Sequence, residues 1–352
     1  MRLSVVVPFH RQLEELSLCL VALRAAAGRL DGECEIIVAA DGSSEDATAV
    51  AAASGARLLN LTGPRGPAAA RNTAAAHAAG DAIVFVDSDV VPHPDALRRI
   101  ERVFEEAVEV DAVFGAYDDR PADDGFVSQA KNLAHAFVHH RSSRRAVTFW
   151  AGLGAVRTDV FRRIGGFDER FVRPSVEDID LGYRLTAAGH PIRLDPTIRG
   201  THLKRWSARQ ALVSDIRDRG IPWTQLVHRY GQLRNDLNLA NRYRACVALS
   251  YAGLIALSLA WATAWALVAA AAALCLVGVL EGPYLTFVAE RRGRMFAARA
   301  LALRVVHHLA NGYSFLVGTL AHVAVRTWGV SLPWALPVDE WPREPAVFAG
   351  HR

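Results

Sequence analysis

Cysteine is scarce in this chain: four in 352 residues, at positions 19, 34, 246 and 275, with no Cys-x-x-Cys pair. That argues against a disulfide scaffold and a zinc ribbon and fits a reducing compartment. No glycine-rich turn follows the first apolar run. Pro8-Phe9-His10-Arg11 stands where a dinucleotide-binding fold would need one, and no P-loop sequence occurs. A nucleotide must therefore be held in some other way. A concentrated basic stripe is missing too. The net charge is only +4, and much of the arginine lies at 141–145, 199–244 and 291–304, around an apolar region. A membrane surface accounts for that arrangement better than nucleic acid does. No signal peptide is read: Leu3 to Val7 is too short for an h-region and stops at Pro8, so the N-terminal domain is expected in the cytoplasm. Finally, no charged residue lies between Ala245 and Leu280.

What is present divides at about residue 244. The chain is 51% apolar with a mean hydropathy of +0.13, and the excess falls after that point. The length allows a large catalytic domain plus an appendage. In the first part, short apolar runs alternate with helical patterns. Leu3 to Val7, ended by Pro8, reads as a buried strand. Residues 12–27 read as a helix, with Leu13, Leu16, Leu20 and Leu23 at helical spacing. Glu35 to Ala40 is a second strand, closed by Asp41-Gly42-Ser43-Ser44, where either serine could cap the next helix. Arg57 to Leu61 is a third strand. The loop Gly63 to Pro67 follows, then an alanine-rich helix through 78, then a strand from Asp81. This β-α-β-α-β order predicts a parallel sheet with right-handed crossovers. Further on, a helix is expected at 95–109, a strand at 111–117, helices at 159–164 and from Glu177 to Gly189, and a strand at 191–195; residues 118–148 have no clear period. The apolar, glycine-spaced run 149–156 implies a close backbone approach.

The strand from Asp81 ends in Asp87-Ser88-Asp89. Two carboxylates at i and i+2 on the carboxyl edge of an α/β sheet repel each other unless a cation joins them. Hard ions such as Mg²⁺ or Mn²⁺ take oxygen ligands and can also hold a diphosphate. The plainer reading is a solvated acidic turn.

Five motifs weigh against that plainer reading. Val5-Val6-Val7-Pro8, Asp41-Gly42-Ser43, Asp87-Ser88-Asp89, Gly165-Gly166-Phe167-Asp168-Glu169 and Glu177-Asp178-x-Asp180-Leu181-x-x-Arg184-Leu185-x-x-x-Gly189 occur in that order. Together they resemble the inverting family-two glycosyltransferases of the GT-A fold, over about residues 1–206. The resemblance implies a Rossmann-like, mostly parallel α/β sheet flanked by helices. It implies a nucleotide-sugar donor and a divalent metal. By the same resemblance Asp178 is the general base, and Asp87 and Asp89 hold the metal and diphosphate. Pro8 and Asp41 border the nucleotide, and His202 completes the metal shell. Trp150, Gly152, Glu177, Arg205 and Trp206 lie in the sugar and acceptor region. Arg71 either faces the diphosphate, since guanidinium suits phosphate, or lies on a solvated helix face. Glu177 and Asp180, as like charges close to Asp178, either raise its pKa or are plain acids of a first helical turn, favoured by the macrodipole. Two departures stand out. Ala40 precedes Asp41 where the family often has a second acid, and His202-x-x-Arg205-Trp206 replaces the Gln-x-x-Arg-Trp of chain-building members. The second weakens a processive polysaccharide synthase as an alternative; a silent nucleotide-sugar-binding scaffold is the other.

Residues 207–244 are basic and amphipathic, as in helices lying on a bilayer, with a solvated pair of domain helices as the plainer reading. The uncharged stretch exceeds one ~30 Å span and suits two, 245–262 and 264–281, with Trp261 and Trp265 at the turn. A third at 297–325 carries Arg299, Arg304 and three histidines, so a surface-lying or re-entrant helix is its rival. The tail 326–352 is expected to be irregular. His139-His140 and His307-His308 have no acidic neighbour in sequence and read as structural or interfacial. The expectation is a multi-pass protein of the cell membrane, in contact with lipids, with a lipid-linked or membrane-delivered acceptor.

Overall fold

The computed structural model describes residues 1–231 and 239–329, in two compact units that divide between Arg205 and Trp206. In the first unit the chain runs β1 (Leu3–Phe9), α1 (Leu13–Ala27), β2 (Cys34–Asp41), α2 (Thr48–Ala53), β3 (Arg57–Leu61), α3 (Pro67–Ala76) and β4 (Ala82–Val86). It continues as β5 (Val90–Pro92), α4 (Ala96–Glu106), β6 (Ala112–Tyr117), α5 (Phe126–Arg141), β7 (Arg145–Ala146), β8 (Leu153–Arg157), α6 (Thr158–Arg163), α7 (Glu177–Ala187) and β9 (Ile192–His202). All belong to one α/β layer system whose sheet order is β3-β2-β1-β4-β8-β6-β9-β5, with β7 beside β9.

The apolar runs of β1 and β4 are buried on both faces, which is why they show no alternation. Val5 pairs in parallel with Ile36 of β2 and Val84 of β4. From α1, Leu16, Cys19, Leu20, Leu23 and Ala26 enter the core at helical spacing; each buried leucine contributes about 1.5–3 kcal/mol.

Two local readings differ from the sequence expectation. Pro8 does not end β1: it pairs with Ala39 in an overhang where β4 no longer follows, so its missing N–H costs no bond on that side. Neither Ser43 nor Ser44 caps α2, which starts only at Thr48 after Ala47. Instead Ser43 closes a local turn onto the Glu45 N–H at 3.0 Å, and the Glu45 carboxylate accepts the N–H groups of Gln12 and Leu13 at 3.0 and 2.7 Å, capping α1 across the chain. The β1–β4 part of the sheet is parallel as expected, and the antiparallel β8, beside both β4 and β6, is the addition that the local order did not reveal. The pairing of Leu153 with Val86 has a functional result: residues 150–152 arrive at the carboxyl edge of β4.

In the second unit a capping box of Ser207 and Gln210 starts α8 (Ala208–Val213), followed by a π-helix (Ser214–Gly220), α9 (Ile221–Tyr230), α10 (Asn241–Ser258), α11 (Ala264–Leu280), α12 (Gly282–Arg292) and α13 (Arg294–Trp328). α10 and α11 form a hairpin whose turn exposes Trp261 and Trp265, at 87% and 78%. No single helix among the described residues is both long and apolar enough to cross a membrane. α11 and α12 reach that length and composition together, bent by 69°. α13 is one continuous helix covering 297–325, and it carries residues 326–328 of the expected irregular tail; the rest of that tail from 330, and 232–238 of the amphipathic stretch, lie outside the described residues.

Candidate active site at the carboxyl edge of the sheet

α3 is the element that ties this edge together. Asp41, at the end of β2, accepts the N–H groups of Arg65 and Gly66, both at 2.7 Å. Its carboxylate thus holds the loop that starts α3. Gly66 is needed there: its φ is +97°, and a Cβ would stand 2.7 Å from the Val172 backbone. One and a half turns into α3, Arg71 is 5% exposed. Its Nη2 donates to Asp87 Oδ1 at 2.7 Å and its Nη1 to Glu177 Oε1 at 2.8 Å. Burial opposes a charged guanidinium, but the two carboxylates outweigh it and raise the Arg71 pKa further. Arg71 is therefore not on a solvated face. Next to it, Asn72 brackets Phe167, accepting its N–H at 2.9 Å and donating to its carbonyl at 2.8 Å, which fastens the Gly165–Glu169 motif to the same helix.

Glu177 opens α7 and also accepts the Ser175 N–H at 2.9 Å, while Asp180 pairs with Arg184 at 2.8 Å. The like charges read beside Asp178 are thus largely neutralised by two arginines. Asp178 Oδ2 accepts the Ala151 N–H at 3.2 Å and Oδ1 the Ile179 N–H at 2.8 Å. Ala151 belongs to the segment delivered by β8, where the Gly152 carbonyl accepts the Asp87 N–H at 3.2 Å. Hydrogen bonds, joined by the backbone of α3 from Gly66 to Arg71 and by the Ala151–Gly152 peptide, therefore link Asp41, Arg71, Asp87, Gly152 and Asp178, with Glu177 held by the same Arg71. α7 gets this close because Gly182 has no side chain: a Cβ there would lie 2.2 Å from the Phe149 nitrogen. Gly152 is similarly constrained, since a Cβ would meet the Trp150 indole at 2.5 Å.

Asp89 and His202 form a second group. Asp89 Oδ2 is 3.6 Å from His202 Nε2, and the Leu203 N–H binds the Asp89 carbonyl at 2.8 Å. Burial would raise the Asp89 pKa, but His202, and then Lys204, outweigh it and hold the carboxyl below its ordinary range. His202 is the last residue of β9, rather than part of a loop beyond it, and its ring stacks on Tyr117 at 4.2 Å. Trp150 packs edge-on against the same Tyr117 at 4.8 Å, so the indole borders this group as well. Arg205 is largely in solvent, 3.9 Å from Asp123, and Trp206 belongs to the second unit. Pro8 ends near His10, whose Nδ1 lies 2.7 Å from the Asp41 carbonyl. Beyond β2 and β3 a hollow of about 310 Å³ is lined by Gly42, Ser43, Glu45, Asp46 and Asn60.

Sequence reading missed Glu15, Asn72 and Tyr117. Glu15, on α1, is pushed up to about 7 by burial and then by the Asp89 charge. Nothing local in the sequence signals any of the three: Glu15 sits in an ordinary amphipathic helix and Tyr117 at the end of an apolar strand.

Residues 4–165 match the family described as Glycosyl transferase family 2. A pre-mycofactocin glycosyltransferase of Mycobacterium tuberculosis is 29% identical over 229 residues, 59% of this chain and 45% of that protein. An undecaprenyl-phosphate 4-deoxy-4-formamido-L-arabinose transferase of Sodalis glossinidius is 27% identical over 165 residues, 45% of this chain and 50% of that one. The chain thus spans about half the length of these curated relatives. Among solved structures, a mannosyltransferase from Pyrobaculum calidifontis in complex with GDP-Man and Mn²⁺ superposes with a TM-score of 0.55 at 19% identity, over 90% of this chain and 87% of that one. The match to the glycosyl transferase family 2 model thus lies wholly within the first unit, and the α/β fold of that unit is GT-A-like.

Proposed function

We propose that the chain is an inverting, metal-dependent glycosyltransferase that moves a sugar from a nucleotide diphosphate to an acceptor hydroxyl. The observation that carries this reading is that α3, clasped at its start by Asp41, holds Asp87 and Glu177 through Arg71, while the 151–152 segment bonded to Asp87 also bonds Asp178 at the start of α7. The donor set fits a divalent cation: Asp89 and His202 approach within 3.6 Å, Arg71 takes only Oδ1 of Asp87, and carboxylate oxygen with imidazole nitrogen suits Mn²⁺ or Mg²⁺. When bound, such an ion would offset charge gathering on the diphosphate leaving group. The chain's own work is to take a proton and to orient. Asp178 accepts the proton of the acceptor hydroxyl, while the Ala151 N–H fixes its carboxylate. Attack from the face opposite the diphosphate inverts the anomeric carbon. Trp150, ordered by Tyr117, His135 and His139, supplies a flat wall on which a sugar ring can rest.

Membrane attachment through the second unit belongs to the same proposal. Leu254, Ile255, Leu257, Leu267, Val268 and Leu274 are exposed there, and Arg242, Arg244, Arg291 and Arg292 flank the hairpin. A chain so attached meets acceptors carried on lipid, the class named for one of its relatives.

The test is transfer from a panel of nucleotide sugars with Mn²⁺ or with EDTA, with product anomers read by NMR. Expected are loss of activity in EDTA and inversion of the anomeric centre. Asp178→Asn should lower turnover by about 10²–10⁴-fold with donor binding retained. Asp89→Ala should lose the metal dependence of donor binding. Unaltered turnover in both variants would overturn the mechanism.

A further inference from the structure

The second unit assembles a group of metal-ligand side chains of a different chemical kind. Cys246 from α10, Glu281 at the bend between α11 and α12, and His308 from α13 each offer one ligand atom, all within 4.8 Å of one another. The three residues are 0%, 1% and 0% exposed. Placing a carboxylate inside a helical packing is costly unless its oxygens are satisfied. The satisfaction here is lopsided. Arg304 donates twice to Glu281 Oε1, at 3.1 and 2.8 Å, and His308 Nε2 lies 2.8 Å from that same oxygen. Glu281 Oε2 and His308 Nδ1 are buried with no hydrogen-bond partner among the described residues. Arg304 therefore balances one oxygen and leaves the other as an open donor.

We propose that Cys246, Glu281 and His308 bind one thiolate-accepting divalent cation of the zinc class. Thiolate, imidazole and carboxylate are the donors zinc accepts in a four-coordinate site, with water as the fourth ligand, whereas Mg²⁺ prefers oxygen alone. On binding, the Cys246 thiol releases its proton to solvent and a sulfur–metal bond forms. His308 binds as neutral imidazole, and Glu281 supplies Oε2 while Arg304 keeps Oε1. Two negative ligands cancel the ion's charge, leaving Arg304 as the net positive group. The ion would pin α10, the α11–α12 bend and α13 to a single point. Its ligands come from two helices and the bend between two others, so no Cys/His spacing in the sequence reveals it.

The test uses the whole 352-residue chain in detergent, stripped of loose metal, loaded with zinc chloride and desalted. Bound zinc is then counted by elemental mass spectrometry. One zinc per chain is expected in the native protein and in Asp89→Ala, and none in Cys246→Ala or His308→Gln. X-ray absorption at the zinc edge of the native protein should show one sulfur neighbour, a result that does not depend on any variant folding. Absence of stoichiometric zinc from the native protein, or zinc with nitrogen and oxygen neighbours only, overturns the site. Neither readout involves sugar transfer, so this inference and the glycosyltransferase reading stand or fall separately.

Discussion

Arg71 shows how one buried side chain can hold two others in place. Its guanidinium satisfies Asp87 and Glu177 at once and lies 5.4 Å from the Phe167 ring centroid. Arg71→Met keeps the bulk and removes the charge, stranding Glu177, whose side chain is only 6% exposed. Breaking a buried pair in this way costs about 3–5 kcal/mol. A drop of that size in the free energy of unfolding by denaturant is expected, with a smaller one for Arg71→Lys, and equal stability of both variants and the native chain would refute the role. Glu15 makes the opposite case. Its pKa is raised from 4.5 to about 7, by burial first and by Asp89 second. From the lower value upward the unfolded chain loses a proton that the folded chain keeps. Stability therefore falls as pH rises through that window and levels off above it. Glu15→Gln should raise Tm in EDTA at about pH 8 but not at about pH 4, by the equivalent of about 1 kcal/mol once solvent screening is allowed for. A gain of equal size at both pH values would show that its charge is not the cause.

At the scale of elements, what could be read in the sequence was whatever is decided locally. β1, β2 and β4 declared themselves as apolar runs, and α1 by its leucine spacing, because burial repeats with the element's own period. β9 was read only as far as Asp195. Its burial alternation in fact continues unbroken through Pro196, Ile198 and Gly200 to His202, but a proline in the run reads as a strand stop in sequence, and it lies where the register against β6 shifts between Phe114 and Ala116. β5 and β7, of three and two residues, carry too little pattern to be seen. The acids of the site were legible where they are neighbours in sequence, at 87 and 89 and at 177 and 178. Their partners were not, since Arg71 meets Glu177 across 106 positions and His308 meets Glu281 across 27. His307 likewise finds Asp215 at 3.0 Å, so neither histidine of that pair lacks an acid. Gly182 gives the element-scale prediction. Alanine favours a helix over glycine by about 1 kcal/mol. Even so, Gly182→Ala should lower both Tm and transfer rate, because its Cβ would press on the backbone of Thr148 and Phe149 at 2.2–2.5 Å and push α7 away from Ala151. Unchanged or higher Tm would show that the close approach is not required.

For the whole molecule, the contrast between units matters most. The first buries its apolar runs inside a sheet, while the second leaves Trp261, Trp265, Val279 and Met295 at 72–87% exposure. Lipid is the proposed cover. In a flotation gradient the purified chain should rise with phospholipid vesicles, and more of it at low salt if the flanking arginines contribute. Protein that stays at the bottom with vesicles of every composition would sink the idea. Within the first unit, α3 has a consequence for anyone wishing to alter what the chain accepts. It begins at the loop clasped by Asp41 and carries Arg71 to Asp87 and Glu177 at its other side, so a change that reshapes the proposed donor pocket tugs on Glu177, the chain neighbour of the carboxylate proposed to take the proton. Mutant libraries that vary residues 41 and 63–66 alone should thus trade selectivity for speed, and escape from that trade calls for sampling positions 71, 87 and 177 in the same clones.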